Sequence, residues 1–496
     1  MPERFTPIDI GPVPEVDKPS HECAIVGVRS RKFPVAEIAL EGLIELNHRG
    51  QEGAGVMVSN AVETAIEKGN GLATIVFNRE KRLPHISNPV VALGQDRYTT
   101  SGNDNDTQPF QERSIGMAHN GNLTNINWLR EEYGLPKIID GAQSDSRAAL
   151  SIINMMPGET PREKFLAAVK RFEGAFNMIL SAGDTMFATR DPLGFRPLAL
   201  GKLHDDGGFA VASENVAFER MGAEYIRDII PGETIMVDDE GVKTIGMDQR
   251  AKLAQCIWEL IYIGRPDSTI FGIPVTQFRH RQGRILARHL PDADVLMPVP
   301  KSGIASAEGV LNSPEFRESG MEYYTGLYTN AYRDADKGGR TFILPNGRDE
   351  AATMKYSPIE EIVRGKRVVL VDDTIVRGSM RKVVNKLRAH GAVEVHARIP
   401  SPPVKHGCYY GVDFGSGELI ANSYPDLEER ARALNLDSLY HFSYAELMEA
   451  ALGNKVDDEV AEEVFENHDF CGACFTGRYP LDVSGVIPRT NNLYEE

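Results

Sequence analysis

Apolar runs that end in polar residues organise the second half of the chain. Four apolar residues, Val368–Val371, predict a buried parallel strand, and the carboxylates Asp372 and Asp373 follow it. The segment Arg381–His390 then has helical periodicity, with apolar residues at positions 383, 384 and 387 and Gly391 as its stop. This order predicts a strand, a loop and a helix, the arrangement at which open α/β sheets bind ligands.

Further segments alternate in the same way after residue 250. The pattern predicts helices over Ala251–Tyr262 and Arg279–His289, strands over Ala293–Pro298 and Val393–Ile399, and a loop over Val299–Gly303. Strands that alternate with helices favour a mainly parallel sheet. The first half reads differently: Cys23–Val28 predicts a buried strand with a thiol at its mouth, and a helix-to-strand turn is expected within Leu46–Gly55.

Composition narrows the class of protein. A chain of 496 residues is too long for one core, so two or three domains are expected. No stretch is long and apolar enough for a membrane span, and the first residues lack the features of a signal peptide, which favours a cytoplasmic protein. The net charge of −17 argues against a nucleic-acid surface, and five cysteines are too few for a disulfide framework.

The loop after Val371 suits a phosphorylated sugar. Hydroxyls and backbone N–H groups at a helix start bind phosphate, and adjacent carboxylates accept hydrogen bonds from ribose hydroxyls. The segment Val371–Gly378 resembles the phosphoribosylpyrophosphate (PRPP) signature of type I phosphoribosyltransferases. The resemblance implies that Asp372 and Asp373 hold the ribose, that Mg²⁺ binds near Ser302, Asp372 and Asp373, and that the 5′-phosphate lies on Thr374, Arg377, Gly378 and Ser379. The alternative is a plain turn in which Asp373 caps a helix.

Motifs in the first half point to amide hydrolysis by a thiol. The segments around Cys23, Arg97, Asn120-Gly121 and Ser144–Ser146 resemble a class II glutamine amidotransferase domain, of the N-terminal-nucleophile hydrolase fold. That fold is a four-layer αββα sandwich. The resemblance makes Cys23 the nucleophile and assigns the oxyanion hole to Asn120 and Gly121. Arg97 would bind the α-carboxylate of glutamine, and Asp145 its α-ammonium group. The structural alternatives are a core thiol at Cys23 and a hairpin turn at Asn120-Gly121.

A leader precedes the thiol. Residues 1–22 are irregular and rich in proline and acidic side chains. A thiol needs a base, and the α-amino group of Cys23 becomes one only when the bond between Glu22 and Cys23 has been cleaved. The sequence therefore predicts a propeptide over residues 1–22.

The other four cysteines are Cys256, Cys408, Cys471 and Cys474, the last two with a spacing typical of metal ligands. Four thiolates suit zinc or an iron–sulfur cluster, and spacing alone does not choose; reduced core thiols are the structural alternative.

The resemblance extends from residue 23 to about residue 480 and is to the amidophosphoribosyltransferase family, in its iron–sulfur branch with a propeptide. It implies a structural [4Fe–4S] cluster on the four cysteines and, because members of the family are usually tetrameric, a homotetramer. It divides the chain into a propeptide (1–22), a glutamine amidotransferase domain (23–250), a type I phosphoribosyltransferase α/β domain (251–450) and a C-terminal segment with cluster ligands (451–496). The implied substrates are glutamine and PRPP, with no nucleic-acid or membrane partner.

Several positions depart from the family pattern. Gln95 stands where histidine is usual, Lys301 where aspartate is common, and Thr329 and Ala331 where cations are expected; an insertion follows at 333–338, and the segment 345–348 is shortened. Substitute cations are available at Lys301, Arg333, Lys337 and Arg340. These departures favour altered PRPP affinity and nucleotide control. A paralogue with another phosphoribosyl acceptor, a non-catalytic PRPP sensor and a plain glutaminase are the alternative functions.

Overall fold

The computed structural model describes residues 23–78, 82–97, 106–136, 144–249, 252–329, 356–412, 414, 418–456, 463–484 and 486. The predictions for the leader and for the departures within 330–355 lie outside these residues. Among the residues described, no helix combines the length and the apolar character needed to cross a bilayer.

Two antiparallel sheets form the first half of the molecule. Their strands, numbered along the chain, are β1 Ala24–Arg29, β2 Gly53–Ser59, β3 Thr64–Asn70, β4 Val91–Arg97, β5 Phe110–Glu112, β6 Ile115–Leu123, β7 Gly174–Ala182, β8 Thr185–Arg190, β9 Ala199–Leu203, β10 Phe209–Ala212, β11 Ala223–Asp228, β12 Glu233–Asp238 and β13 Gly241–Met247. One sheet has the order β11-β9-β10-β1-β4-β2-β3, and the other has the order β13-β12-β8-β7-β6-β5.

Helices cover the outer faces of both sheets. They are α1 Val35–Leu46, α2 Ala73–Val76, α3 Ile126–Glu132, α4 Asp145–Met155, α5 Pro161–Val169 and α6 Ala217–Met221. Apolar side chains such as Ile25, Leu93 and Ala118 fill the space between the sheets, and two further cores lie beneath the helices. The predicted four-layer αββα sandwich is therefore confirmed.

A five-stranded parallel sheet organises the second half. The strands of this half, which also include three two-stranded pairs, are β14 Gln255–Cys256, β15 Thr269–Ile270, β16 Ile273–Pro274, β17 Val295–Pro298, β18 Glu322–Tyr323, β19 Leu327–Tyr328, β20 Ser357–Pro358, β21 Arg367–Val371, β22 Glu394–Ile399, β23 Ser438–His441 and β24 Phe470–Cys471. The sheet has the order β18-β17-β21-β22-β23, and its neighbours run parallel. This confirms the predicted mainly parallel α/β sheet.

The helices of this half are α7 Val275–Leu286, α8 Ile304–Leu311, α9 Pro314–Ser319, α10 Glu360–Val363, α11 Met380–Ala389, α12 Ile420–Ser423, α13 Leu427–Ala433, α14 Tyr444–Leu452, α15 Val464–Asn467 and α16 Ala473–Thr476. Helix α11 buries Val383, Val384 and Leu387, as its periodicity predicts, and ends before Gly391 at φ +96°. The helix predicted over 279–289 begins earlier, at Val275, and a 3₁₀ turn extends it to His289.

The helix predicted over Ala251–Tyr262 is confirmed only from residue 258 onwards, and residue 251 lies outside the described residues. Residues 255 and 256 instead form β14, which pairs in parallel with β24 near the end of the chain. A short π-helix, Glu259–Ile263, follows. The local pattern is helical, but the backbone of Cys256 bonds to distant partners: its N–H donates to the Phe195 carbonyl, and the next N–H donates to that of Cys471. Tertiary pairing overrides local preference here.

Candidate active sites

The first candidate site lies at one edge of the space between the two antiparallel sheets. Cys23 is half-buried and immediately precedes β1, in which Ala24 is the partner of Asp96 in β4. Extending that register by one residue brings Arg97 opposite Cys23. Because side chains alternate along a strand, Cys23 and Arg97 lie on the same sheet face as Ile25 and Leu93, which pack between the sheets.

Strand β6 of the opposite sheet supplies an amide to this edge. Asn120 follows Ala118 by two residues and so shares its face, which packs between the sheets. The side chain is 2% exposed, and its Nδ2 has no hydrogen-bond partner among the described residues. Gly121 has φ +143°, and a Cβ there would meet the Ala175 carbonyl oxygen at 2.0 Å, so this position within β6 requires glycine. A buried donor without a partner is the kind of group that a bound ligand satisfies.

Asp145 begins α4 beside the end of β6. Its Oδ2 accepts a hydrogen bond of 3.0 Å from the Leu123 N–H, and its Oδ1 accepts one of 2.9 Å from the Ser146 N–H. The residue is 9% exposed. The fold therefore holds a carboxylate close to Asn120 and Gly121 of β6. Of the five residues that the sequence analysis selected, Arg97 lies in β4, Asn120 and Gly121 lie in β6, Asp145 begins α4, and Cys23 immediately precedes β1.

A hydrogen-bond network that the sequence analysis missed surrounds this edge. Gln95 Oε1 accepts a bond of 3.0 Å from the Gln108 N–H, and Gln108 Nε2 donates to Ser146 Oγ at 3.1 Å. His119 Nδ1 also lies 2.8 Å from Ser146 Oγ. Gln95 is fully buried, and its Nε2 has no partner among the described residues. Gln95 had been noted in the sequence only for its unusual identity, and no hydrogen-bonding role had been predicted for Gln108, His119 or Ser146.

A lysine with a lowered pKa lies farther along the same region. Lys68 Nζ donates to the Thr107 carbonyl at 2.7 Å and lies 5.0 Å from the centroid of the Phe110 ring. The guanidinium of Arg147 lies 4.2 Å from the centroid of that ring. Burial, together with the charges of Arg147 and Arg97, lowers the pKa of Lys68 to about 8. The carboxylate of Asp106, 3.9 Å from Arg147 Nε, offsets part of this positive charge.

The second candidate site follows β21, which lies at the centre of the parallel sheet. Asp372 and Asp373 are 5% and 2% exposed. Ser302 Oγ donates to Asp372 Oδ1 at 2.7 Å, and the Asp373 N–H donates to the same oxygen at 3.0 Å. Ser302 belongs to the loop after the neighbouring strand β17, so the structure brings the two predicted loops together. Lys301 is exposed beside it.

The rest of this loop is shaped for a ligand at the start of α11. Thr374 is 3% exposed, and its Oγ1 has no hydrogen-bond partner among the described residues. Arg377 and Ser379 are half-buried, and Gly378 has φ +109°, which lets the chain turn into the helix. The backbone N–H groups at the start of a ten-residue helix suit a phosphate.

A buried charge network joins the two halves of the molecule. Arg49, Arg196 and Glu259 are fully buried: Arg49 pairs with both Glu214 and Glu259, and Arg196 Nη1 lies 3.4 Å from Glu259 Oε1. Burial alone would raise the pKa of Glu214, but His48 and Arg49 hold it well below its ordinary value. The sequence analysis quoted the segment that carries His48 and Arg49 without assigning a role.

Arg279 links this network to the second site. Its guanidinium donates to the carbonyls of Leu260 and Gly264, at 3.1 and 2.8 Å, and so clamps the π-helix. Burial lowers the pKa of Arg279 to about 10, while the charges of Asp373 and Glu214 oppose this shift. One buried cation therefore lies within electrostatic range of a carboxylate from each half.

Four cysteines gather where the C-terminal segment meets both halves. Cys256 and Cys471 are direct partners in the parallel pair β14–β24. Trp258 Nε1 donates to Cys474 Sγ at 2.9 Å, and the Tyr410 N–H donates to Cys408 Sγ at 3.3 Å. Burial raises the pKa of Cys471 to about 12, and proximity to Cys408 adds to this shift. Among the described residues, no three His, Cys, Asp or Glu side chains converge on the position of one metal ion.

Comparison with known proteins agrees with this architecture. A family model described as a glutamine amidotransferase domain matches residues 95–220. Amidophosphoribosyltransferase of Methanocaldococcus jannaschii is 37% identical over 491 residues, which cover 93% of this chain and 98% of that protein. The Bacillus subtilis enzyme of the same name is 35% identical over 480 residues, covering 95% and 96%.

The same agreement extends to three dimensions. The structure of glutamine PRPP amidotransferase from B. subtilis, complexed with ADP and GMP, superimposes with a TM-score of 0.82 at 34% identity, over 94% of this chain and 99% of that one. Two sandwiched antiparallel sheets and a parallel sheet are thus matched nearly end to end, and the chain belongs to the amidophosphoribosyltransferase family.

Proposed function

We propose that the chain hydrolyses glutamine to glutamate and ammonia and transfers the ammonia to PRPP, giving 5-phosphoribosylamine and pyrophosphate. This is the first step of de novo purine synthesis. The observation that carries the proposal is the joining of two sites in one chain. The buried network of Arg49, Glu259 and Arg196 connects them. Gly50, next to Arg49, packs on the backbone of Arg97, and Arg279 lies within electrostatic range of Asp373 and of Glu214, the other partner of Arg49.

In the first half-reaction, the Cys23 sulfur attacks the side-chain amide carbon of glutamine. The oxyanion that forms takes hydrogen bonds from Asn120 Nδ2 and the Gly121 N–H, the donors of a preorganised hole. Ammonia leaves, and water hydrolyses the resulting thioester to glutamate and regenerates the thiol. The α-amino group of Cys23 moves the protons once residues 1–22 have been removed, since an amide nitrogen has no basic lone pair.

Two charges of opposite sign recognise the amino-acid end of glutamine. Arg97 binds its α-carboxylate through charge-assisted hydrogen bonds, and Asp145 binds its α-ammonium group. The buried donors that already hold both oxygens of Asp145 orient the carboxylate before substrate arrives. Preorganisation of this kind lowers the entropic cost of binding.

In the second half-reaction, ammonia displaces pyrophosphate from C1 of PRPP. Asp372 and Asp373 accept hydrogen bonds from the ribose hydroxyls, and Thr374, Arg377, Gly378 and Ser379 hold the 5′-phosphate. Mg²⁺ bound by pyrophosphate oxygens and by residues of the Ser302, Asp372 and Asp373 group would neutralise charge on the leaving group. Two buried carboxylates fit this ion, because Mg²⁺ at phosphate sites usually takes only one or two.

Ammonia must cross from one site to the other without being protonated in bulk water. The interface between the halves is buried at Arg49, Arg196 and Glu259, which supports an enclosed passage. The domain boundaries proposed from the sequence, 23–250, 251–450 and 451–496, place this interface between the first two domains.

We also propose a [4Fe–4S] cluster held by Cys256, Cys408, Cys471 and Cys474. The donor set fits: three of the thiols are buried, and Cys256 and Cys471 are register partners. Four thiolates can each bind one iron of such a cluster, and the same donor set also suits a zinc ion, so iron content decides between them. When bound, the cluster supplies a covalent tie between the C-terminal segment and the body. A cytoplasmic homotetramer completes the proposal.

An anaerobic assay of purified protein tests the proposal. Pyrophosphate release from PRPP is measured with glutamine, with ammonium chloride and with neither, and iron content is measured on the same sample. The expected result is release with either nitrogen source and formation of 5-phosphoribosylamine. Release that needs a different acceptor would favour a divergent paralogue, and binding of PRPP without turnover would favour a sensor.

A further inference from the structure

Gln108 connects the two parts of the glutamine site that recognise opposite charges. On one side, its backbone N–H donates to Gln95 Oε1 in β4, the strand that ends at Arg97. On the other side, its Nε2 donates to Ser146 Oγ, next to Asp145 at the start of α4. One residue therefore spans the distance between the proposed carboxylate clamp and the proposed ammonium clamp.

The orientation of the Gln108 amide is set by the backbone of β6. The His119 N–H donates to Gln108 Oε1 at 2.7 Å, and Gln108 Nε2 lies 3.2 Å from the His119 carbonyl. A backbone N–H can only donate and a backbone carbonyl can only accept, so the amide cannot be reversed. The Nε2 group is thereby directed towards Ser146 as a donor.

The Ser146 hydroxyl links the Gln108 amide to the Asp145 carboxylate. Ser146 Oγ accepts from Gln108 Nε2 and lies 2.8 Å from His119 Nδ1. In the tautomer whose ring hydrogen is on Nδ1, the histidine donates as well, and the hydroxyl hydrogen is left for Asp145 Oδ1 at 3.3 Å. The Ser146 N–H holds that oxygen at 2.9 Å, and the Leu123 N–H holds the other at 3.0 Å. Gln108, His119 and Ser146 are 5%, 2% and 3% exposed, so water does not compete for these bonds.

We propose that Gln108, acting through Ser146, is a positioning residue that holds the Asp145 carboxylate at the place where it receives the α-ammonium group of glutamine. Neither side chain touches the reacting atoms. The inference rests on the proposed function, because it assigns a task within the glutamine site. It predicts that loss of the relay weakens recognition of the ammonium group and leaves the acyl chemistry of Cys23 intact.

The test compares glutamine with 4-carbamoylbutanoate, which has the same amide and carboxylate but no α-amino group. The variants are Ser146→Ala and Gln108→Met, with Asp145→Asn as reference. Matched controls are Ser151→Ala on the same helix, where the Ser151 hydroxyl bonds to Glu112 instead, and Gln111→Met, where the exposed Gln111 side chain donates to the Arg113 carbonyl. Glutamate or glutarate formation and ammonium-dependent pyrophosphate release are measured for each protein.

We expect kcat/KM for glutamine to fall about 10- to 100-fold in Ser146→Ala and Gln108→Met, mostly through KM, because a charge-assisted bond is misaligned. For 4-carbamoylbutanoate the value should change less than about twofold, and the ammonium-dependent reaction should be unchanged. The double variant should cost no more than the worse single variant, since both act through one relay. Equal losses for the two substrates, or no loss for glutamine, would overturn the inference.

The result separates this inference from the proposed function. A wild-type protein that hydrolyses neither amide contradicts the proposed function itself. An active wild type whose Ser146→Ala variant keeps its preference for glutamine contradicts only the positioning role. Should Gln108→Met fail to fold, Ser146→Ala carries the test, because it removes one hydroxyl and keeps the backbone bond to Asp145.

Discussion

Asn122 Nδ2 donates a hydrogen bond of 2.7 Å to the Tyr409 carbonyl. Asn122 lies in β6, next to Gly121 of the proposed oxyanion hole, and Tyr409 follows Cys408, a proposed cluster ligand. Tyr410, the next residue of that loop, is also held by the first half of the molecule, because Arg196 Nη2 donates to its carbonyl at 2.9 Å. The loop that carries Cys408 therefore packs directly on β6, the strand that carries Asn120 and Gly121 of the proposed glutamine site.

Removal of the iron of the proposed cluster is expected to loosen β6. Anaerobic chelation should increase hydrogen exchange in residues 115–123, because the Cys408 loop loses its covalent tie while it still bears on Asn122. Exchange in β3, at the outer edge of the same half, serves as the internal control and should not change. Unaltered exchange over 115–123 after complete loss of iron would show that the cluster does not support the site.

The two half-reactions are expected to separate by mutation. Cys23→Ala should abolish glutamine hydrolysis and keep ammonium-dependent pyrophosphate release, because the nucleophile serves only the first site. Asp373→Asn should reduce pyrophosphate release with either nitrogen source by about 10-fold or more, since one charged acceptor for ribose is lost. Pyrophosphate and glutamate are measured separately, and a Cys23→Ala protein that still consumes glutamine would contradict the assignment.

Replacement of Asp96 is expected to stabilise the protein at neutral pH. Asp96 is fully buried, neither carboxylate oxygen has a partner among the described residues, and burial raises its pKa well above the ordinary value. A raised folded pKa means that stability is full at low pH and falls as the pH rises above the unfolded pKa, because only the unfolded state then gains from ionisation. Denaturant unfolding should show Asp96→Asn more stable than wild type at pH 7.5.

That advantage should shrink as the pH falls to about 3, below the ordinary aspartate pKa of about 3.9, where the carboxyl is mostly protonated in both states. The exposed substitution Glu224→Gln in β11, an edge strand of the same sheet, serves as the control and should show little change across the same range. A stabilisation of Asp96→Asn that is independent of pH would contradict the linkage argument.

Glu259→Gln is expected to lower the free energy of unfolding and to uncouple glutamine hydrolysis from pyrophosphate release. It leaves Arg49 and Arg196 buried with a weakened partner, and breaking a buried ion pair costs about 3–5 kcal/mol in unfolding free energy. Ammonia should then leak at the loosened interface, so that more glutamate forms than pyrophosphate. Both products are measured in one reaction. The control Glu449→Gln removes the partly exposed pair with Arg288, worth about 0–1 kcal/mol, and should keep the two products equal.

Gly121→Ala is expected to abolish glutamine hydrolysis. Its Cβ would lie 2.0 Å from the Ala175 carbonyl oxygen, so β6 and β7 must separate or the oxyanion donor must turn away. Gly222→Ala is the matched control: φ is also positive, at +66°, but a Cβ there meets nothing within 4 Å. We expect it to cost only about 1 kcal/mol of stability and to keep activity. Glutaminase assays of both variants at equal folded fraction provide the measurement.

Local sequence patterns predicted the secondary structure correctly where residues close in the sequence supply the interactions. The strand and helix around Asp372 were predicted because an apolar run, a short polar loop and a glycine stop lie within 24 residues, Val368 to Gly391. They failed at residues 255 and 256, which form a strand instead of a helix, because the partners of Cys256 are Phe195 and Cys471. No periodicity within a twelve-residue window records a pairing with the far end of the chain.

The sequence by itself determined which chemistry the chain carries: a thiol with an amide, a cation and a carboxylate, an acidic pair before a phosphate loop, and four further cysteines. Only the tertiary structure decided how these groups are held. The Gln108 relay to Asp145, the buried pairing of Arg49 with Glu259 and the contact of Asn122 with Tyr409 join residues far apart in the chain. Their partners are chosen by the packing of sheets and domains, because burial and hydrogen-bond geometry exist only in the folded state.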